Sequence, residues 1–183
     1  MMIEDILIKN NTSEKLFEKF LLKLELKTLN EFSNFGSINK KNVSVVAKNE
    51  LKKKNKIKFF SILNNEIIAY SFLEKFEKQS KKHNCILGIV VADTWQQKGW
   101  GKKICKHMIN SAWKKDIEKI WLTVYSDNIR AYSMYKKIGF EVEGVFMYDE
   151  KFHGKFKHKI SMAIFKKYVN NKSKREKILK DLN

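Results

Sequence analysis

The sequence predicts a single domain of mixed α/β class, and three observations carry that expectation. Short apolar runs rich in β-branched and aromatic residues alternate with stretches whose apolar residues recur at helical spacing. The 183 residues suffice for one ordinary domain with a core and are few for two. Neither an internal repeat nor a Gly/Ser/Pro-rich linker divides them. Residues 1–168 are assigned to the domain and 169–183 to a basic C-terminal tail.

The elements follow in order. "EDILIKN" reads as a first strand, and Asn11 with Glu14 as a helix start. Leu16, Phe17, Phe20, Leu21 and Leu24 then keep helical spacing to about Leu29. A shorter helix is expected near Val43–Lys53. "KIKFFSIL" and "EIIAYSFLE" flank Asn64–Asn65 and predict a hairpin. "NCILGIVVA" is a nearly continuous apolar run, the pattern of a strand buried on both faces. Ile104, Cys105, Met108, Ile109, Ala112 and Trp113 form one helical stripe with lysines opposite. "KIWLTVYS" is the next buried strand, and a helix from Asn128 through Lys137 stops at Gly139. "FEVEGVFMYDE" and "HKISMAIFKK" complete the strands. Past Tyr168, "VNNKSKREKILKDLN" reads as a solvated tail or a loosely docked helix.

Composition narrows the function classes. Hydrophobic content of 43% and aromatic content of 13% describe a folding chain. No apolar run approaches the roughly 18 residues that span a bilayer, and the N-terminus lacks a charged-then-apolar leader, so a cytoplasmic location is expected. Two cysteines, Cys85 and Cys105, lie within apolar patterns; small buried hydrophobes are expected there, with no disulfide and no metal. A formal charge of +18 raises nucleic-acid binding, but Arg130 and Arg175 are the only arginines, and arginine is the residue that reads guanine edges. The lysines are spread along the chain, as compositional bias of a source genome would spread them. Attraction of an anionic small ligand remains as a second consequence.

One loop stands out. Of seven glycines, Gly99 and Gly101 fall one residue apart in "QQKGWG", between an apolar strand and an amphipathic helix. Strand, glycine loop and helix together suit phosphate, because the first helical amides lack intrachain partners and the dipole is positive there. The pattern is neither the dinucleotide fingerprint nor a P-loop, and two glycines before a helix also serve as simple turn chemistry. Further on, Asn128, Ala131 and Tyr135 share one helix face. They suit something polar lying against them, or else a helix cap and a core tyrosine.

"GIVVADTWQQKGWGKKICKHMI" followed by "WLTVYSDNIRAYSMYKKIGFEVEG" resembles the GNAT superfamily of acyl-coenzyme A dependent N-acyltransferases. The family's [QR]-x-x-G-x-[GA] is matched by Gln96, Gly99 and Gly101. Its N-x-x-A-x-x-x-Y-x-x-x-G-F is matched by Asn128, Ala131, Tyr135, Gly139 and Phe140. The resemblance runs from Cys85 to about Phe165 and implies a mostly antiparallel, splayed sheet of about seven strands flanked by about four helices. It also implies acetyl-CoA as cosubstrate, cradled by amides of Gln97, Lys98, Gly99, Trp100, Gly101 and Lys102. Main-chain groups of Ile89 and Val91 would pair with the pantetheine, Val90 is counted with them in the coenzyme site, and Asn128 would hydrogen-bond the arm beside Ala131. The Val91 amide would donate to the thioester oxygen, and Tyr135 would be the acid for the departing sulfur.

No base is identified. Many relatives carry a glutamate just before the Leu-Gly pair, where this chain has Ile86. Candidates are His83, Glu143, Asp149, His153 and His158, with a water-mediated base or no strong base as alternatives. His158 stands where relatives with a G-K-[FY]-x-D ending have aspartate; it alters the acceptor pocket or is simply exposed. "EFSNFG" and the aromatic hairpin are expected on the acceptor side. The expected partner is a small primary amine, with a nucleotide-linked amino sugar placed slightly ahead of an amino acid, polyamine or protein N-terminus. Binding to nucleic acid or membrane is not expected, a homodimer is left open, and a non-catalytic acyl-CoA sensor is the competing class.

Overall fold

A computed structural model describes residues 2–3, 6–32, 38–152, 154–166 and 180. Among them the strands are β1 (Met2–Ile3), β2 (Ile6–Lys9), β3 (Lys56–Leu63), β4 (Glu66–Lys75), β5 (Asn84–Val91), β6 (Lys119–Tyr125), β7 (Glu141–Phe152) and β8 (Lys155–Phe165). The helices are α1 (Glu14–Leu22), α2 (Leu26–Phe32), α3 (Val43–Lys52), α4 (Trp100–Trp113) and α5 (Ile129–Ile138). The strands form one sheet in the order β1-β2-β3-β4-β5-β6-β8-β7. All neighbours are antiparallel except β5 and β6. The mixed α/β class and the mostly antiparallel sheet are as expected. The eighth strand is the two-residue β1, too short to show in a sequence pattern. The expected tail falls almost wholly outside the described residues.

The extra helix has a distinct cause. The helix expected to run to Leu29 breaks after Leu22, where the N–H groups of Lys23 and Leu24 turn back to the carbonyls of Phe20 and Leu21 at 3.1 and 3.3 Å. Asp93 holds the start of α2: its Oδ2 accepts from the Glu25 N–H at 2.9 Å, and its Oδ1 accepts from the Thr28 hydroxyl. A carboxylate at a helix N-terminus satisfies orphan amides and the dipole together. At α1 the cap is Ser13, whose hydroxyl accepts from Leu16 N–H at 3.2 Å, and not Asn11. The β3–β4 hairpin turns at Asn64 and Asn65 as expected, with φ of 49° and 59°, the left-handed pair a two-residue turn needs.

Two apolar clusters cover opposite faces of the sheet. One joins Cys85, Leu87, Ile120, Leu122 and Val124 to α4 and to Tyr135 and Phe140. The other joins Phe60, Tyr70, Phe72 and Val90 to α1, α2 and α3. The "NCILGIVVA" strand is therefore not buried on both faces along its length. Ile86, Gly88, Ile89 and Val91 are only half-buried, because they line an opening in the sheet.

Candidate active site

That opening arises from strand divergence. β5 and β6 pair only over Asn84–Ile86 and Lys119–Trp121 and then separate. The notch between their C-terminal halves is a cavity of about 470 Å³. Ile89, Val91, Thr123 and Tyr125 line it from the strands, and Gly99, Gly101, Lys102, Asn128, Ala131 and Tyr135 from α4 and α5. Thr28, Glu31 and Phe32 line it from α2.

Backbone polarity in β5 follows from one hydrogen bond. The Ala92 N–H reaches Ile68 O on β4 at 2.9 Å, so by the alternation of antiparallel ladders Val90 and Gly88 also direct their groups to β4. Ile89 and Val91 point theirs into the notch. Val90, counted with them in the expected coenzyme site, turns its main-chain groups to β4. The Val91 carbonyl already accepts from Gln96 Nε2 at 3.1 Å.

Gln96 organises the glycine loop. Its amide nitrogen also donates to Thr28 Oγ1 at 3.1 Å, and its Oε1 accepts from Arg130 at 2.6 Å. One side chain thus ties the loop to α2, β5 and α5. Gln97 and Gly99 both have positive φ, 61° and 83°, and Gly99 caps α4. The first helical bond is Lys103 N–H to Gly99 O, which leaves the amides of Trp100, Gly101 and Lys102 without helical carbonyls. These amides and the free edge of β5 fit the pyrophosphate and the amide arm of a coenzyme A. The two glycines have different reasons, however. A Cβ on Gly99 would meet nothing within 4 Å, whereas one on Gly101 would lie 3.1 Å from Met134 Sδ. Close packing of α5 therefore calls for a small residue at Gly101, while the left-handed turn calls for glycine at Gly99. The side chains of Lys98 and Trp100 do not line the cavity; Lys98 Nζ sits 4.8 Å over the Trp95 ring.

Asn128 is the cap of α5, its Oδ1 accepting from Ala131 N–H at 3.0 Å. Its Nδ2 donates to Glu31 Oε2 at 2.9 Å. Tyr135 is buried against Phe140, ring centroids 5.5 Å apart, and its edge reaches the cavity. Burial pushes its phenol well above the usual range, and the neighbouring Cys105 thiol adds to this. The proton stays on the oxygen. Cys85 and Cys105 are both buried free thiols, each pushed up to about 12 by burial.

None of the described base candidates lines the notch. His83 faces a separate surface cavity with Lys82 and Asp116. Glu143 pairs with Lys119 at 2.6 Å, and Asp149 with Lys159 at 3.2 Å. His158 is half-buried and accepts from the Tyr148 N–H at 2.9 Å; His153 lies outside the described residues. The hairpin aromatics Phe59, Phe60, Tyr70 and Phe72, expected on the acceptor side, are core residues and do not line the notch. From "EFSNFG", Glu31 and Phe32 do reach the notch, and the remaining four residues lie outside the described ones. Glu31 was missed as an individual residue, since nothing local distinguishes it from the other helix-surface acids. Lys159 lines the cavity but is neutralised by Glu150 and Asp149. Burial opposes the charge on Glu150, yet the hydrogen bonds from Lys159 and Tyr125 hold its carboxyl below the usual range.

A sheet opened between two parallel strands, with a glycine-turned helix start on one rim, defines an α/β domain with an unpaired strand edge and helix amides on a single opening. The chain belongs to the acetyltransferase (GNAT) family, whose model matches residues 25–140. It is 29% identical over 84 residues to the L-amino acid N-acetyltransferase AaaT of Escherichia coli (strain K12), covering 45% of this chain and 51% of that protein. It is 30% identical over 78 residues to the spermidine N(1)-acetyltransferase of the same strain, covering 42% of each. The chain thus spans about half the length of these relatives, or less. The crystal structure of a GNAT-family acetyltransferase from Streptococcus pneumoniae shares the fold, with a TM-score of 0.70 and 21% identity over 87% of this chain and 99% of that one.

Proposed function

We propose that this chain is an N-acyltransferase that moves the acetyl group of acetyl-CoA to a primary amine of a small molecule by direct transfer in a ternary complex. The observation that carries the reading is the notch, where an unpaired strand edge, the free amides of α4 and the protonated Tyr135 meet. Acetyl-CoA would supply an activated thioester. Amides of Gly99 to Lys102 would hold its pyrophosphate, and the main chain of Ile89 and Val91 would align its arm. The Val91 amide would donate to the thioester oxygen as charge develops there, and Tyr135 would give its proton to the sulfur. Asn128 supports the site as the cap that orients α5.

A nucleotide-linked amino sugar would call for an unspent cation on the acceptor side. Lys159 does not supply one, since two carboxylates share it, so the general class of small primary amines is the better statement. The test is calorimetric binding of acetyl-CoA followed by release of free thiol with a panel of amines. Tight binding with amine-dependent thiol release is expected. Binding without release on any amine would favour an acyl-CoA sensor.

A further inference from the structure

The sheet separates the notch into two approaches. Along β5 the odd residues Cys85 and Leu87 face α4, while Val90 faces the α1–α3 side, and the ring of Phe72 from that side lies beneath Gly88. By the period of two, Ile86 shares that second face. On β6, Ile120, Leu122 and Val124 face α4 and α5, so Trp121, Thr123 and Tyr125 point the opposite way. Tyr135 stands on the α4–α5 face; Glu31 reaches the notch from α2 on the other.

Among the described residues lining the notch, Glu31 is the only acid, the other formal charges being Lys102, Arg130 and Lys159. Arg130 is bonded to Gln96, and Lys159 to Glu150 and Asp149. Asn128 holds Glu31 Oε2 at 2.9 Å, which fixes the carboxylate and leaves Oε1 without a partner among the described residues. The face that carries Ile86, an apolar residue, is therefore given a carboxylate by a different element.

We infer that Glu31 recognises the acceptor: its Oε1 binds the ammonium of a cationic primary amine on the α2 side of the notch and takes the proton that must leave before attack. This rests on the acyltransferase reading above and names the substrate class for that site. The balance is simple. The ammonium gives one proton to Glu31, which releases it to water, and the neutral amine is the nucleophile. Its nitrogen forms the C–N bond to the acyl carbon as the C–S bond of the thioester breaks. The second proton lost from nitrogen offsets the one that Tyr135 gives to the sulfur. The carboxylate that α2 brings to the notch favours a cation over an anionic amine, against the positive charges that Lys102 on α4 and Arg130 on α5 keep there and the +18 of the chain as a whole.

The experiment is calorimetric titration of spermidine, as a cationic probe, and glucosamine 6-phosphate, as an anionic one, into the chain saturated with coenzyme A. Spermidine should bind the wild-type complex at least about tenfold more tightly than the phosphate-bearing amine. Glu31→Gln should weaken spermidine by about tenfold to a hundredfold, the loss of one charge-assisted hydrogen bond. Its affinity for coenzyme A should stay within about twofold, and Glu31→Asp should recover part of the spermidine binding. Equal spermidine affinity in wild type and Glu31→Gln, or tighter binding of the anionic probe, would overturn the inference. A parallel loss of coenzyme affinity would also overturn it, by assigning Glu31 to the coenzyme groove through Asn128. A wild-type chain that fails to bind coenzyme A would sink the acyltransferase reading itself, and this inference with it.

Discussion

Lys56 Nζ lies 2.9 Å from Glu50 Oε1, and both side chains are 2% exposed. The same oxygen accepts from the Tyr70 hydroxyl at 2.7 Å, Lys53 holds the other at 2.8 Å, and Lys56 Nζ stands 3.7 Å from the centre of the Phe72 ring. A buried charge pair is retained only when its lone pairs and protons are satisfied, and here they are. The cluster ties α3 to the β3–β4 hairpin beneath the notch.

The first prediction concerns stability against pH. Burial opposes the charge on Glu50, but the hydrogen bonds from Lys53, Tyr70 and Lys56 outweigh it and hold the carboxyl below its usual range. A depressed carboxyl contributes stability above the unfolded value of about 4.3 and loses it as pH falls through the folded value. Glu50→Gln should therefore cost about 3–5 kcal/mol near pH 7, toward the lower end because Glu74 still lies 3.6 Å from Lys56. Thermal melts should show the gap between wild type and variant closing as pH is lowered below about 4. A gap independent of pH would mean that packing, not charge, is lost.

The glycines of the loop should respond differently. Gly99 has φ of 83° with open space around its Cβ direction, so Gly99→Ala should cost roughly 1–2 kcal/mol in backbone strain. Relief of that strain would reorient the amides of Trp100 to Lys102, and acetyl-CoA affinity should fall by about tenfold. Gly101→Ala brings a methyl 3.1 Å from Met134 Sδ and 4.0 Å from Val91 Cγ2, a crowding the flexible methionine relieves, and should leave that affinity within about threefold. Calorimetry on the two variants checks this. The reverse order would place the close approach of phosphate at Gly101 after all.

Tyr135→Phe removes a hydroxyl and keeps the ring against Phe140. Stability should change little, and kcat should fall by about tenfold or more with acetyl-CoA Kd unchanged, since general-acid assistance is typically worth about a hundredfold to ten-thousandfold. Burial holds the phenol protonated, so the wild-type rate should show no loss from tyrosine ionisation up to about pH 10. Wild-type turnover in the variant would return Tyr135 to core packing, and a selective loss of coenzyme affinity would make it a binding residue.

What the sequence determined by itself is what local spacing and local backbone geometry encode. The turn at Asn64–Asn65, the stripe of α4, and α5 between its Asn128 cap and its Gly139 stop were legible because a hydrophobic period or a required dihedral writes them over a few residues. So was the order of strand, glycine loop and helix that locates the notch, and with it the family. Only the tertiary structure decided the rest. The first helix breaks in two because Asp93, 68 residues from Glu25, takes its amide. Glu31 meets Asn128 across 97 residues, Gly101 packs against Met134 of α5, and the aromatic hairpin turns into the core around Glu50 and Lys56. No period carries such pairings, because each depends on which faces the closed chain brings together. The apolar β5 run showed the limit plainly: its pattern gave the strand, but not that its residues from Ile86 to Val91 line an opening in the sheet.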